Sequence, residues 1–207
     1  MSSSELIRWG GLCAVVGGAL LVISDLWGLI TEGFGESESF SEAALSPSYA
    51  ITTGISLLAA VLLLFGLVGF NLRQSEGGGV LGRVGFVVAF LGTALVVGVT
   101  WALFFVVPAL AVEAPQFLDT EETGGSLETG FIVSFGLLSV GWALFGMSAL
   151  RSRVYPRWGA IVLIIAALIQ FLPLPGTGLV FGVGVALLGF LSLSGAGTSA
   201  AEPSRVR

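Results

Sequence analysis

Asp25 is the side chain of this 207-residue protein best placed to do chemistry. It is the only acidic residue inside a long apolar run, and an ionisable group held in lipid is costly and by default marks function. It lies 17 residues beyond Arg8. That is about 25 Å along a helix rising about 1.5 Å per residue, near the far boundary of a hydrocarbon core of about 30 Å. Two roles fit this depth: a hydrated or hydrogen-bonded carboxylate at the mouth of a helix bundle, or a cation or proton site. Thr100 stands at the matching position of a second, similar segment, and Trp101 follows it. Asp25, Trp27, Thr100 and Trp101 are therefore expected to line one outward pocket. Gln170 is the one amide deep in the second half of an apolar run. It is expected to hydrogen-bond a neighbouring helix, with lining a path as the alternative.

Other chemistries find little support. The chain has no histidine, so the commonest general base and metal ligand is missing. Cys13 is the only cysteine and reads as a small packing residue rather than a disulfide partner or a metal ligand. The sequence carries no GxSxG, HExxH or P-loop pattern, and the glycine-rich Ser75–Gly85 segment matches no nucleotide-binding fingerprint. It reads as a cytoplasmic linker. Two acidic loops, "ESESFSEAALSP" and "DTEETGGSLETG", lack the spacing of an EF-hand loop and read as solvated acidic faces. In the first, Ser39 stands three residues before Glu42, a capping-box pattern, and Pro47 is expected to stop a short helix. No cofactor, metal or nucleic-acid partner is expected.

The elements that must position these groups are membrane helices. The chain is 55% hydrophobic and 10% charged, with a mean hydropathy of +1.01. A soluble domain has about a quarter charged residues. Apolar runs near 20 residues recur throughout, the signature of membrane spans. The expected fold is all-α, a single domain over residues 1–194 of six transmembrane helices. These are placed at about 7–30, 49–72, 82–107, 130–150, 158–172 and 178–194, the fifth being short. The first is read as a retained span, because it exceeds the apolar core of a signal peptide. Residues 195–207 read as a disordered cytoplasmic tail.

With six spans every basic residue falls on one side: Arg8, Arg73, Arg83, Arg151, Arg153, Arg157, Arg205 and Arg207. The opposite loops hold Glu32, Glu36, Glu38, Glu42, Glu113, Asp119, Glu121, Glu122 and Glu128. Arginine-bearing short loops stay in the cytoplasm, so both termini are expected there, in the cytoplasmic membrane. In the turn "RSRVYPR", Pro156 suits the start of the next helix, and Tyr155 and Trp158 are expected at the interface.

A repeat emerges from the same turns. Arg8, Arg83 and Arg157 each open an odd-numbered span with similar residues, at spacings of 75 and 74. Aligned on the arginine, Gly10 matches Gly85, Ala14 matches Ala89 and Gly17 matches Gly92. The even spans share an ending, "LFGLVGFNLR" and "LFGMSALRSR". Three helical hairpins are expected. Small residues one turn apart, Gly85-Ala89-Thr93 and Gly178-Gly182-Ala186, form strips for close helix approach, within one chain or between chains.

The stretch "LRSRVYPRWGAI", Leu150 to Ile161, resembles the cytoplasmic turn of small multi-span bacterial membrane proteins grouped as domains of unknown function. The resemblance implies an integral membrane location and carries over no catalytic residue. The leading expectation is a non-enzymatic subunit or interaction partner of a membrane complex, meeting a homo-oligomer or another membrane protein through its small-residue faces. The alternatives are a small oligomeric transporter or channel with an outward site around Asp25, and a lipid-modifying membrane enzyme.

Overall fold

The structure is a computed structural model and describes residues 2–32, 39–74, 77–120, 125–172 and 174–194. Arg205, Arg207, Glu36, Glu38, Glu121, Glu122, Pro173 and the 195–207 tail lie outside the described residues. The described chain is all-α. Its helices are α1 (Ser3–Glu32), α2 (Phe40–Ala44), α3 (Pro47–Gln74), α4 (Gly79–Glu113), α5 (Ser126–Ser152), α6 (Arg157–Ile169) and α7 (Thr177–Leu193), with a 3-10 turn at Pro115–Phe117. No strand occurs among the described residues.

Four helices, α1, α3, α4 and α5, are long and apolar enough to cross a membrane. The exterior is that of a multi-pass membrane protein, with side chains such as Val16, Phe65, Leu91, Ile165 and Phe190 pointing outward and exposed. The six expected spans are found as helices, but α6 and α7 are shorter than full crossings at 13 and 17 residues. At about 1.5 Å per residue α6 is only about 20 Å long. The seventh helix is the short α2. It is N-capped by Ser39, whose side chain accepts from the Glu42 N–H, and Pro47 opens the next helix.

Six helices close into a ring in the order α1, α3, α4, α5, α6, α7 and back to α1. Each neighbouring pair is antiparallel. In the α1–α3 pair, Gly10 meets Gly69 while Ser24 meets Ser56. In the α1–α7 pair, Gly11 meets Gly189 while Asp25 meets Gly178. Arg8, Arg73, Arg83, Arg151, Arg153 and Arg157 consequently gather at one end of the ring, and Glu42, Glu113, Asp119 and Glu128 at the other.

Glycine sets how close the helices come. A Cβ on Gly92 would overlap the backbone of Leu138, and one on Gly141 the backbone of Ala89. Without those Cβ atoms backbones approach and dispersion contacts multiply, which is what drives association where lipid is as apolar as the side chains. Gly10, Ala14 and Gly17 of α1 all face α3, as Gly85, Ala89 and Gly92 of α4 all face α5. Aligned positions thus pack alike in the first two hairpins. Their second helices differ: Phe65 is exposed and Phe145 fully buried.

The small-residue strips are filled within the chain. Gly85, Ala89 and Thr93 lie against α5, and Gly178, Gly182 and Ala186 lie against α1. Of the two expected uses, within one chain or between chains, these contacts are the first, and they leave the strips no face for a second copy or another protein. A strip that contacts its own chain at backbone distance has no room for another helix.

The core fills the arginine half. Trp142 is fully buried and makes edge-on ring contacts with Phe70, Phe145 and Phe181 at centroid distances of 6.4, 6.3 and 5.4 Å. Its Nε1–H donates to Thr93 Oγ1 at 3.0 Å. The turn between α5 and α6 closes this end. Arg153 takes the left-handed conformation (φ 55°) after α5, and Pro156 leads into α6. Between them Tyr155 turns inward to 2% exposure, edge-on to Phe70. The Arg73 guanidinium lies 5.3 Å over its ring and donates to the Ser192 carbonyl. Tyr155 is thus part of the core, which corrects its expected place at the interface. Trp158 remains half exposed. Burial pushes the Tyr155 hydroxyl up to about 12, against the opposing pull of Arg73.

Candidate functional site

The acidic half of the ring is hollow. A cavity of about 860 Å³ is lined by residues of α1, α3, α4, α5 and α7 and by the turn that follows α6. Its size falls within the range of about 300–1,000 Å³ typical of small-molecule sites. The cause is the short third hairpin. α6 ends at Ile169 and Phe171 reaches only as far as Gly136, so about ten residues of α5, some 15 Å, rise above α6 without it as a neighbour. The α6–α7 turn walls the cavity with Phe171, Leu172, Leu174 and Pro175. Phe181, which packs on Trp142, lies at the base.

Asp25 lines this cavity and has a structural partner. Its Oδ2 accepts the Leu179 N–H at 2.7 Å, in the first turn of α7. The first N–H groups of a helix lack partners within it, and a carboxylate there is favoured by the helix dipole. Gly178 makes the approach feasible, since a Cβ at that position would lie 2.7 Å from Asp25 Oδ1. α7 begins after Gly176, which holds φ +82°, so no side chain of its own N-cap residue supplies this acceptor. Asp25 supplies it from 154 positions away.

Asp25 and Thr100 share the cavity wall, and Gln170 joins them. The two tryptophans do not. Trp27 is exposed and donates from Nε1 to Ser48 Oγ at 3.1 Å. Trp101 is exposed and packs on Phe105. The helical turn accounts for this, because Trp27 lies two residues past Asp25 and Trp101 one past Thr100, about 200° and 100° round their helices. The Gln170 Oε1 is buried without a hydrogen-bond partner, so the expected bond to a neighbouring helix is not made through that oxygen.

The remaining polar lining comes from hydroxyls that the sequence reading passed over. Ser24 Oγ donates to the Thr52 carbonyl at 3.0 Å and pairs with Ser56 Oγ at 2.7 Å. With the Ser24 proton on that carbonyl, Ser56 is the donor of the pair. Thr52, Thr53, Thr93 and Thr100 each donate to the carbonyl four residues back in their own helix. Six hydroxyl protons are thus committed inside the protein, and the lining presents mainly acceptor oxygens. A signal for them exists: Thr52 and Ser56 stand one turn apart in an apolar run, and Ser24 adjoins Asp25.

Glu128, in the first turn of α5, adds a second carboxylate at the mouth. Nearby, the two acidic loops are clasped. Asp119 accepts from the Ser41 N–H at 2.9 Å and from Ser41 Oγ at 2.6 Å, which ties α2 to the end of the α4 connection. Among the described residues no group of three His, Cys, Asp or Glu side chains is arranged to hold a metal. No family model, no curated protein and no solved structure matches the chain.

Proposed function

We propose that this is a six-span integral membrane protein of the cytoplasmic membrane that binds a small molecule in a cavity open to the outward face. The observation that carries it is the asymmetry of the ring. One end is filled by interlocked aromatic rings and the Tyr155 turn, and the other holds an open cavity of about 860 Å³ lined from every helix of the ring or its adjoining turn. A pore needs a path through both halves, whereas this arrangement is a one-sided compartment, as in a binding protein or a carrier in one of its states. The arginine end is placed in the cytoplasm by the positive-inside rule, and α6 and α7 complete six crossings as a short hairpin sunk below the outer boundary.

The three-hairpin repeat is part of this reading, supported by the like packing of Gly10-Ala14-Gly17 and Gly85-Ala89-Gly92. So is kinship with small multi-span bacterial membrane proteins, on the Leu150–Ile161 turn. The reading as a subunit of a larger complex loses its main support, because both small-residue strips are occupied within the chain.

Cysteine accessibility tests topology and cavity together. In a Cys13→Ser background, Thr53→Cys and Thr100→Cys are expected to react with a membrane-impermeant cationic thiosulfonate added outside intact cells. Ser152→Cys, at the arginine end, is expected to react only after the cells are opened. Labelling of Ser152→Cys from outside inverts the topology, and silence of both cavity positions in the folded protein removes the compartment.

A further inference from the structure

The chemistry of the cavity selects its occupant. We propose that it takes a cationic amphiphile, a molecule with a protonated amine head and an apolar tail, entering from the outer leaflet; this rests on the binding reading above. The head is chosen by what the walls offer. Six of the lining hydroxyls have given their protons to the protein. Ser24 and Thr93 also accept from Ser56 and Trp142, which leaves Thr52, Thr53, Ser56 and Thr100 with oxygens free to accept from a ligand. The Gln170 carbonyl oxygen is buried without a donor. Asp25 and Glu128 add negative charge, and no arginine lines the space in a chain that has no lysine or histidine. A ligand that brings donors and positive charge satisfies these groups, whereas one that brings a carboxylate or phosphate meets two carboxylates and mostly lone pairs, with only the Gln170 amide N–H and the Thr177 hydroxyl to donate.

The tail is chosen by the rim. Where α6 stops short, apolar cavity-lining residues are well exposed: Ile132 at 53%, Leu172 at 47% and Leu174 at 59%. Phe131 and Leu29 complete this edge. The frame is apolar, so an aliphatic tail enters along it without desolvating a polar group. A water-soluble amine without a tail gains nothing from that side.

The test uses the full chain in phosphatidylcholine nanodiscs and three probes with one tail: decylammonium, decanol and decanoate. Bound stoichiometry is read by native mass spectrometry and affinity by the concentration dependence of the thermal midpoint, with empty nanodiscs subtracted. Decylammonium is expected to saturate one site at least about ten-fold more tightly than decanol, with decanoate the weakest. The Asp25→Asn/Glu128→Gln pair is expected to erase that preference and leave decanol unchanged. Gly28→Phe is expected to block all three. Gly28 lines the mouth, and a Cβ there meets only Thr52 Cγ2 at 3.9 Å, so the backbone accommodates the branch point; an unchanged thermal midpoint without probe confirms that the variant folds. Equal binding of decylammonium and decanol, both blocked by Gly28→Phe, overturns the cationic head and keeps the compartment. A preference that survives loss of both carboxylates overturns it too, as does tighter binding of decanoate. No saturable binding of any probe overturns both this inference and the binding reading beneath it.

Discussion

The arginine half and the acidic half of the ring are built from the same helices and differ in what fills their axis. At the arginine end Phe70, Trp142, Phe145 and Phe181 are at most 1% exposed and meet edge to face. At the acidic end the corresponding space is lined by Ser24, Ala60, Thr93 and Thr100, and no side chain fills it. Two causes separate them. Aromatic volume lies on one side of the middle, and the third hairpin reaches only part of the way up the other. The lesson is that a one-sided compartment needs no special fold: shortening one hairpin of an up-and-down ring opens it.

If that division holds, the largest loss comes from emptying the packed half. Trp142→Ala is expected to cost about 3–5 kcal/mol in reversible unfolding in bicelles. It also removes the base beneath Phe181, so a cysteine at Ala143 should gain reactivity from outside. Next comes helix approach. Gly141→Leu drives a side chain into the Ala89 backbone and is expected to cost about 1–3 kcal/mol or more, whereas Gly98→Leu, which meets nothing within 4 Å, should be near neutral. A smaller effect belongs to the hollow half. Asp25→Ala strips the acceptor from the first turn of α7 and is expected to cost about 0.5–2 kcal/mol. Asp25→Asn keeps an oxygen for Leu179 and should recover most of it. Equal losses for the two variants would show that charge, not capping, holds α7.

The smallest effect sharpens the closed end. The Tyr155 hydroxyl is buried beside Ser192, which with Arg73 offsets part of the effect of burial, so Tyr155→Phe is expected to change stability by about 1 kcal/mol or less at pH 7. At alkaline pH the two proteins part. Tyr155 has its folded value raised from 10.0 to about 12, so its neutral form is the one the fold accepts. The associated stability is whole below pH 10 and is lost as pH rises from 10 towards 12. Tyr155→Phe should remove that part of the alkaline slope in a pH series of unfolding midpoints. An unchanged slope would mean that the hydroxyl reaches water.

Much of this architecture is legible in the chain. The six apolar runs, the Ser39 cap, the break before Pro47 and the segregation of arginine from carboxylate follow from local composition, which acts over a helical turn or the thickness of a bilayer. Asp25 and Thr100 were paired by repeat alignment alone and do line one cavity. Trp27 and Trp101 were added by proximity in sequence, and the helical turn carries them outside. Tyr155 was placed at the interface by the habit of its residue type, but the left-handed step at Arg153 turns it inward.

What the sequence by itself determined is which segments become helices, which ends of them gather together and how long each is. These depend on hydropathy, capping residues and charge, all properties of neighbours along the chain. Tertiary structure alone decided that the ring closes α7 onto α1, that the small-residue strips serve the chain itself, and that Asp25 caps a helix 154 positions away. It also decided that six hydroxyls from three helices line one space with their protons already committed. The physical reason is that apolar helices in lipid carry little directional preference of their own. Which faces meet is settled by close packing and by the need to partner each buried polar group, and both are properties of pairs of distant residues.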